Sequence, residues 1–142
     1  MLTMENKTIL TVSCTVNQSI EKVWECWTNP EHIQQWNYAS DDWHCPKASN
    51  DLRVGGKCSA TMAAKDGSFS FDFEGTYSEV IPLQSIKYHI IDGREVSIRF
   101  EATAQGILIT ESFEAENQHP IEMQQAGWQA IIDNFKKHSE AQ

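Results

Sequence analysis

The sequence predicts an α+β fold in which a curved antiparallel sheet wraps around one long C-terminal helix. Residues 120–138 carry apolar side chains at three- and four-residue spacing, as on one face of an α-helix. Most of the chain before them alternates apolar and polar residues in short runs separated by turn residues, which is the pattern of strands joined in hairpin order. A strongly bent sheet around a single amphipathic helix buries every apolar face in this pattern.

The first predicted strand covers residues 7–16, where apolar and polar side chains alternate. Asn17 or Ser19 can cap a short helix that follows this strand. Residues 28–30 include a proline, which ends the first helix and can start a second one over residues 31–36. Two short helices are therefore expected directly after the first strand.

Residues 37–50 show no periodicity, and we predict that they form a loop. Aromatic residues in an irregular surface segment have fewer packing roles than those in strands, so this loop is of functional interest. Residues 51–54 are predicted as a short extended piece that ends at the turn Gly55-Gly56.

Five to six antiparallel strands in hairpin order make up the predicted sheet after the early strand. The alternating runs lie at residues 57–64, 68–80, 86–90, 96–102 and 107–115. Gly75 stands where an aromatic residue would continue the alternation of its strand. A glycine inside a strand suggests a bulge or a strong bend, so we expect one at Gly75.

The C-terminal helix has the residues expected at both of its ends. Pro120 suits a first helical turn, Glu122 lies near the positive end of the helix dipole, and His138 lies near the negative end. Gly127 costs about 1 kcal/mol relative to alanine inside a helix, so we expect it to lie close to a neighbouring backbone or a bulky partner. The predicted buried face consists of Ile121, Gln124, Trp128, Ile131, Ile132 and Phe135.

The composition favours one domain over residues 1–142 and excludes several classes of partner. The chain has 11 basic and 20 acidic residues and a formal net charge of −9, which disfavours nucleic acid and anionic membrane surfaces. No segment approaches the ~18 apolar residues of a membrane span, and the start lacks the pattern of a signal peptide, which predicts a cytoplasmic protein. The four cysteines include no CxxC pair, so no cofactor is predicted.

Five motifs, in this order and spacing, point to a known family. They are IEKVWECWTNP at residues 20–30, Trp36, DLRVGG at residues 51–56, FEGTY at residues 73–77 and GWQAIIDNF at residues 127–135. Together they resemble the START-like (SRPBCC) superfamily, and more closely its branch of homologues of the activator of the ninety-kilodalton heat-shock protein ATPase. The resemblance covers nearly the whole chain.

This resemblance implies a helix-grip (START/Bet v-like) fold, in which the two short helices close one end of a cavity between the sheet and the C-terminal helix. Members of the superfamily bind apolar or amphipathic small molecules in this cavity. Some relatives use the pocket for cyclase or hydrolase chemistry. The name of the branch suggests a chaperone as a partner, by family analogy alone.

The candidate ligand-binding residues are the aromatic and apolar side chains that would face this cavity, together with two polar groups. Glu111 falls between Ile109 and Phe113 on the interior face of its strand, and Gln124 falls on the buried face of the helix. A buried carboxylate without a partner is costly, so Glu111 indicates a hydrated cavity, a cationic partner or a register change. The alternative for the aromatic residues is ordinary core packing. The predicted site comprises Trp36 and Trp43 at the mouth, Phe71, Phe73, Tyr88 and Phe100 as the sheet wall, Trp128, Ile131 and Phe135 as the helix wall, Phe113, and Glu111 with Gln124 as orienting groups.

No metal site or nucleophile is predicted. His44, Cys45 and His32 are potential ligands, but their spacing does not secure the three or four converging groups that zinc requires. No serine or cysteine lies at a recognised nucleophile elbow.

The sequence thus supports three hypotheses about function. The favoured one is non-enzymatic binding of a small apolar or amphipathic molecule, by a monomer or homodimer with a possible link to stress. The second is a cyclase- or hydrolase-type enzyme in which Glu111 is a general base whose pKa is raised by burial. The third is a module that modulates a chaperone, for which the family analogy is the sole support.

Overall fold

The computed structural model describes residues 7–142, which form seven strands and three helices. The elements follow in the order β1 (Ile9–Val16), α1 (Ile20–Thr28), α2 (Pro30–Trp36), β2 (Trp43–Asn50), β3 (Lys57–Ala64), β4 (Ser70–Ile81), β5 (Ser85–Ile90), β6 (Glu95–Thr103), β7 (Gly106–Glu114) and α3 (Ile121–Glu140). No helix within the described range is both long enough and apolar enough to cross a bilayer.

All seven strands belong to one curved antiparallel sheet with the order β1-β7-β6-β5-β4-β3-β2. Strands β2 to β7 pair with their neighbours in sequence, whereas β1 pairs with β7 at the opposite edge. The C-terminal helix packs on the sheet near β1, and both short helices contact it. The predicted fold class, with two short helices after the first strand and a sheet around the last helix, is confirmed.

The two short helices begin with the local signals that the sequence contains. The Ser19 hydroxyl accepts a hydrogen bond from the Lys22 backbone N–H at 3.2 Å and so caps α1. Asn29 accepts a hydrogen bond from the Glu31 N–H at 2.9 Å and caps α2, and Pro30 occupies the first helical turn, where its missing N–H is no loss. Asn29 and Pro30 therefore mark the turn between α1 and α2.

The predicted loop at residues 37–50 is wrong in its second half, because Trp43–Asn50 forms the edge strand β2. The register between β2 and β3 shifts between His44 and Lys47, next to Pro46. Proline has no N–H to donate and is confined to edge strands and bulges. The shift breaks the alternation of side chains, which is why the sequence pattern does not show a strand.

Gly75 lies in a regular part of β4, and the predicted bulge at this position is wrong. Gly75 pairs in register with β3, and the irregularity in β4 falls between Tyr77 and Glu79. The reason for glycine is close approach of a side chain: a Cβ atom at Gly75 would lie 2.7 Å from Cδ2 of Tyr88. The missing side chain therefore makes room for the Tyr88 ring.

The C-terminal helix buries Ile132 and Phe135 completely, as its pattern predicts. Two expectations about its first half are corrected. Ile121 is 39% exposed, because it stands at the first residue of α3, at the edge of the packed region. A Cβ atom at Gly127 would meet no atom within 4 Å, so no close neighbour compensates for this glycine.

Candidate functional site

A cavity of about 180 Å³ lies between α3 and the concave face of the sheet. Residues from α1, α2, the strands β2 to β5, β7 and α3 contribute to its wall. Six predicted site residues line it: Trp36, Phe73, Tyr88, Glu111, Trp128 and Ile131. The structure thus brings half of the predicted residues together around one space.

Three further predicted residues stand behind the cavity wall and do not line it. Phe113 stacks on Trp128 with the ring centres 3.9 Å apart and the planes nearly parallel. Phe135 packs edge-on against Trp36, with 5.0 Å between ring centres. Phe100 contacts the helix α1 in the same edge-on manner through Trp24 and Trp27. Phe100, Phe113 and Phe135 are buried core residues that hold the wall in place.

Trp43 and Phe71 lie outside this cavity, in contrast to their predicted roles at the mouth and in the sheet wall. They form a surface cluster with Phe69, in which each pair of ring centres is 6.1 Å apart. Phe71 is 42% exposed and Phe69 is 59% exposed. Phe73, two residues further along β4, contacts Trp128 of α3, so the helix covers the sheet at Phe73 and leaves Phe71 uncovered.

Gln124 is buried as predicted, but its amide faces the segment before α3 and not the cavity. Its Oε1 accepts a hydrogen bond from the Glu116 backbone N–H at 2.9 Å. Its Nε2 donates to the carbonyl oxygens of Glu116 and His119 at 3.0 and 2.9 Å. All the hydrogen-bond partners of the Gln124 amide therefore belong to the segment that leads into α3. Gln124 thus has a structural role.

Glu111 is the carboxyl group of the cavity, and its position follows from the alternation of β7. Alternate residues of this strand from Ile107 to Phe113 are all buried, and Glu111 is 6% exposed. Its partners across the sheet are the buried residues Val12 on β1 and Ile98 on β6. Within residues 7–142, no side-chain hydrogen bond or ion pair engages the Glu111 carboxyl.

Burial raises the pKa of Glu111 from 4.5 to about 8. Desolvation is the sole cause, because an apolar environment disfavours the charged form and neither a cation nor a donor offsets it. The carboxyl is therefore mostly protonated at pH 7. In that state it can donate one hydrogen bond and accept others.

Two tyrosines add hydroxyl groups to the same cavity. Burial, with a contribution from nearby Glu111, holds the pKa of Tyr88 well above its ordinary value, so its hydroxyl is neutral and free to donate. The Tyr77 hydroxyl donates to Oδ1 of Asn50 at 2.6 Å, and the Asn50 amide donates to the Thr28 carbonyl at 2.7 Å. The Tyr77 hydroxyl is thus already used to join the sheet to α1, whereas no hydrogen bond within residues 7–142 lowers the pKa of Tyr88 or of Glu111.

The thiol of Cys58 also lines the cavity, but it is unsuited to nucleophilic attack. Burial raises the pKa of this thiol above its ordinary value of 9.0. The thiolate is the reactive form, so a cysteine in this environment is inert at neutral pH.

Sequence reasoning missed several residues of the cavity wall. Trp27 and Ile33 lie in the two predicted short helices, where the spacing of apolar residues indicates burial but not which space a side chain faces. Most of the others are small or polar residues of β2 and β3. The wall residues outside the predicted site are Trp27, Ile33, Asn37, Ser49, Cys58, Ser59, Ala60, Met62 and Tyr77.

A cluster of a thiol and two imidazoles lies where α1, α2 and the end of α3 meet. The potential ligand atoms of Cys26, His32 and His138 all lie within 4.8 Å of one another. His32 is therefore grouped with two residues distant in sequence, and His44 and Cys45 do not join it. The pairing depends on how the helices pack, which the spacing of residues could not reveal.

Comparisons with known proteins agree with this architecture. Residues 17–140 match the family described as "Activator of Hsp90 ATPase homolog 1-like protein". The chain belongs to this family. The START-like resemblance seen in the sequence is thereby confirmed. A search of curated proteins finds no match to this chain.

Solved structures of similar proteins share the fold. The AHSA1-like protein from Aeromonas hydrophila is 43% identical with a TM-score of 0.88, and the match covers 94% of this chain and 93% of that one. A protein from Cytophaga hutchinsonii is 49% identical with a TM-score of 0.78, covering 96% and 94%. A protein from Chromobacterium violaceum, at 20% identity and a TM-score of 0.83, shows the same fold over 94% of this chain and 98% of its own.

Proposed function

We propose that the protein binds a small amphipathic molecule in the cavity between α3 and the sheet, without catalysing a reaction. The observation that carries this proposal is the unpaired carboxyl of Glu111 in a cavity lined mainly by aromatic and aliphatic side chains. A buried polar group without a partner destabilises the protein, and a ligand that supplies the partner recovers that free energy. The family adds support, because its fold is a ligand-binding fold.

The chemistry of the wall defines the polar end of the ligand. Glu111 is mostly protonated at neutral pH and Tyr88 is neutral, so both can donate a hydrogen bond to a carbonyl or hydroxyl oxygen. Lysine, arginine and histidine are absent from the cavity wall, within the range that the structure describes, so an anionic group would be buried there without a counter-charge. A neutral oxygen-containing group is therefore the expected partner of Glu111.

The volume defines the size of the ligand. An engineered apolar cavity of about 150 Å³ in another protein binds benzene. The cavity here is of similar size, at about 180 Å³. A single-ring or small fused-ring compound fits without rearrangement of the wall, whereas a larger lipid requires side chains such as Met62 or Ile33 to move.

The test is a screen of single-ring and fused-ring ketones, amides and phenols by native mass spectrometry and thermal shift. Each oxygen-containing compound is paired with its hydrocarbon analogue, and Glu111→Leu is compared with Glu101→Leu, a control on the exposed face of β6. We expect Glu111→Leu to bind the oxygen-containing compounds about tenfold more weakly, the value of one hydrogen bond, and the hydrocarbons equally well or better. The proposal fails if no compound binds, or if both variants show the same affinities.

A second candidate function is a hydrolase- or cyclase-type enzyme that uses the same pocket. The observation in its favour is the Glu111 pKa of about 8, which is close to the value that suits a general base at neutral pH. Turnover of aryl esters that rises with pH, is half-maximal near pH 8 and levels off above it, and that Glu111→Gln abolishes, would establish it. Rates equal to those of buffer alone would exclude this activity for such substrates.

A third candidate is modulation of a chaperone, which the family description suggests. The exposed cluster of Trp43, Phe69 and Phe71 is the surface feature that favours it, because grouped apolar side chains on a surface often mark interaction sites. The test is the ATPase rate of Hsp90 with wild-type protein and with Phe69→Ser. A rate that does not respond to wild-type protein excludes this function.

We further propose that residues 1–142 act as one START-like domain in the cytoplasm. Support for one domain comes from the cavity, whose wall draws on elements from α1 to α3. Support for the location comes from the four free cysteines, since a reducing compartment keeps thiols unpaired. Limited proteolysis tests whether the chain is one domain, and a fluorescent fusion tests its location.

A further inference from the structure

The cluster at the junction of the three helices has the composition and spacing of a transition-metal site. Cys26 is fully buried on α1, His32 is half-buried on α2, and His138 is half-buried in the last turn of α3. Nδ1 of His32 lies 2.8 Å from Nε2 of His138, so one ring donates a hydrogen bond to the other. A thiol and two imidazoles are ligands that suit zinc and related borderline-soft ions.

The distances allow an ion to enter with small side-chain movements. Zinc binds histidine nitrogen at about 2.0–2.1 Å and cysteine sulfur at about 2.3 Å, so a tetrahedral site places its ligand atoms roughly 3.3–3.7 Å apart. The two ring nitrogens need to separate slightly from 2.8 Å, and the sulfur needs to approach from within 4.8 Å. Rotation about side-chain bonds provides both movements.

Two neighbouring groups are placed as supports of such a site. Oε1 of Glu25 lies 3.5 Å from Nε2 of His32, the ring nitrogen that points away from His138. A carboxylate on the second nitrogen of a metal-binding histidine is a common arrangement, because it orients the ring and increases its basicity. Glu25 thus directs Nδ1 of His32 toward the centre of the cluster.

The second support is the hydroxyl of Ser139, which is fully buried and has no hydrogen-bond partner within residues 7–142. It lies beside the Cys26 thiol: burial raises the pKa of this thiol, and the Ser139 hydroxyl acts in the opposite direction. A buried hydroxyl without a partner is costly. When the Cys26 thiol loses its proton to form a metal–sulfur bond, the resulting thiolate becomes a strong acceptor for this hydroxyl.

We propose that Cys26, His32 and His138 bind one zinc ion, with Cys26 as a thiolate and a water molecule in the fourth position. The thiol proton leaves to solvent as the metal–sulfur bond forms, and the hydrogen bond between the two imidazoles is replaced by two metal–nitrogen bonds. The ion joins α1 and α2 to α3. Because Trp27 and Trp36 of these short helices line the cavity, zinc reinforces the end of the cavity that they close.

The test uses the full chain after removal of metals with a chelator. Zinc binding is measured by calorimetry and by elemental analysis, and cobalt(II) serves as a spectroscopic probe. The expected result is one ion per chain, a thiolate-to-cobalt charge-transfer band, and a zinc-dependent rise in melting temperature. Cobalt that binds without the charge-transfer band, or zinc that binds without saturating at one ion, overturns the proposal.

Variants separate this site from adventitious binding by surface histidines. His138→Gln and His32→Gln are expected to weaken zinc binding by at least roughly 10–100-fold. That is the loss caused by removing a residue that only hydrogen-bonds a metal ligand. His89→Gln is the matched control, because His89 also lies 3.5 Å from a glutamate, Glu95, but on the exposed sheet surface. Equal affinities of His138→Gln and His89→Gln refute the assignment. Because Cys26→Ala alters the core, its effect is read from the cobalt band after circular dichroism has confirmed folding.

Discussion

The buried Glu111 carboxyl should make the protein less stable as the pH rises through the neutral range. In the unfolded chain the group has a pKa near 4.5, and in the folded protein the pKa is about 8. Between these values the folded state holds a proton that the unfolded state has released, so the free energy of unfolding falls with rising pH. The stability that the protonated carboxyl contributes is fully present below pH 4.5 and is lost by about pH 8.

The difference between 4.5 and about 8 sets the size of this effect. At about 1.4 kcal/mol for each pKa unit, Glu111 contributes a loss of about 5 kcal/mol from acidic to mildly alkaline pH. Water in the cavity would stabilise the carboxylate, so this value is an upper limit. It is comparable to the total stability of a small domain, about 5–15 kcal/mol, which makes the effect readily measurable.

The assay is urea unfolding at a series of pH values from 5 to 9 for wild type, Glu111→Gln and Glu101→Gln. Glutamine resembles the protonated glutamate in shape, so Glu111→Gln should lie within about 1 kcal/mol of wild type at pH 5 and exceed it by several kcal/mol at pH 8. Glu101→Gln removes an exposed carboxyl of β6 and should follow wild type throughout. Parallel stability profiles for wild type and Glu111→Gln would refute the assignment of a raised pKa.

Four other substitutions test the packing, each by urea unfolding. Gly127→Ala should stabilise by about 0.5–1 kcal/mol, since a methyl group there meets open space within a helix; a loss of stability would contradict this. Gly75→Ala should destabilise by about 1–3 kcal/mol through contact with the Tyr88 ring, and a neutral effect would count against that contact. Asn50→Ala should cost about 1–3 kcal/mol by breaking the link between sheet and α1. Phe135→Ala should cost about 3–5 kcal/mol, and under 1 kcal/mol would indicate a loosely packed core.

The sequence predicts the sheet and the long helix well because apolar residues recur at a regular spacing in both. Alternation in β7 is sufficient to place Glu111 in the interior, since burial follows the two-residue period of a strand. The same principle fails in β2, where the register shift near Pro46 breaks the period. Local pattern therefore identifies regular elements and misses an irregular edge strand.

Periodicity cannot tell which buried side chains face a cavity and which face other side chains. Phe113 and Trp128 both belong to predicted interior faces, but only Trp128 lines the cavity, because Phe113 is stacked behind it. Gln124 lies on the buried face of α3, but its amide is hydrogen-bonded to the segment before the helix. These distinctions depend on how the helix packs on the sheet.

Contacts between distant segments are the second kind of information that the sequence lacks. His32 and His138 are far apart in the chain, and their 2.8 Å contact exists because α2 packs against the end of α3. The sequence grouped His32 with His44 and Cys45, which are closer in the chain but not in the fold. A set of potential metal ligands of this kind can be recognised only from the packing of the helices in the structure.

Nuclear Overhauser effects between the protein and the tightest-binding compound of the screen provide the most direct test of the proposed cavity. If the compound binds in the proposed cavity, its apolar protons will show contacts to Trp128 and Ile131, and its polar end will lie next to Glu111. Contacts confined to the surface cluster of Trp43, Phe69 and Phe71 would contradict it.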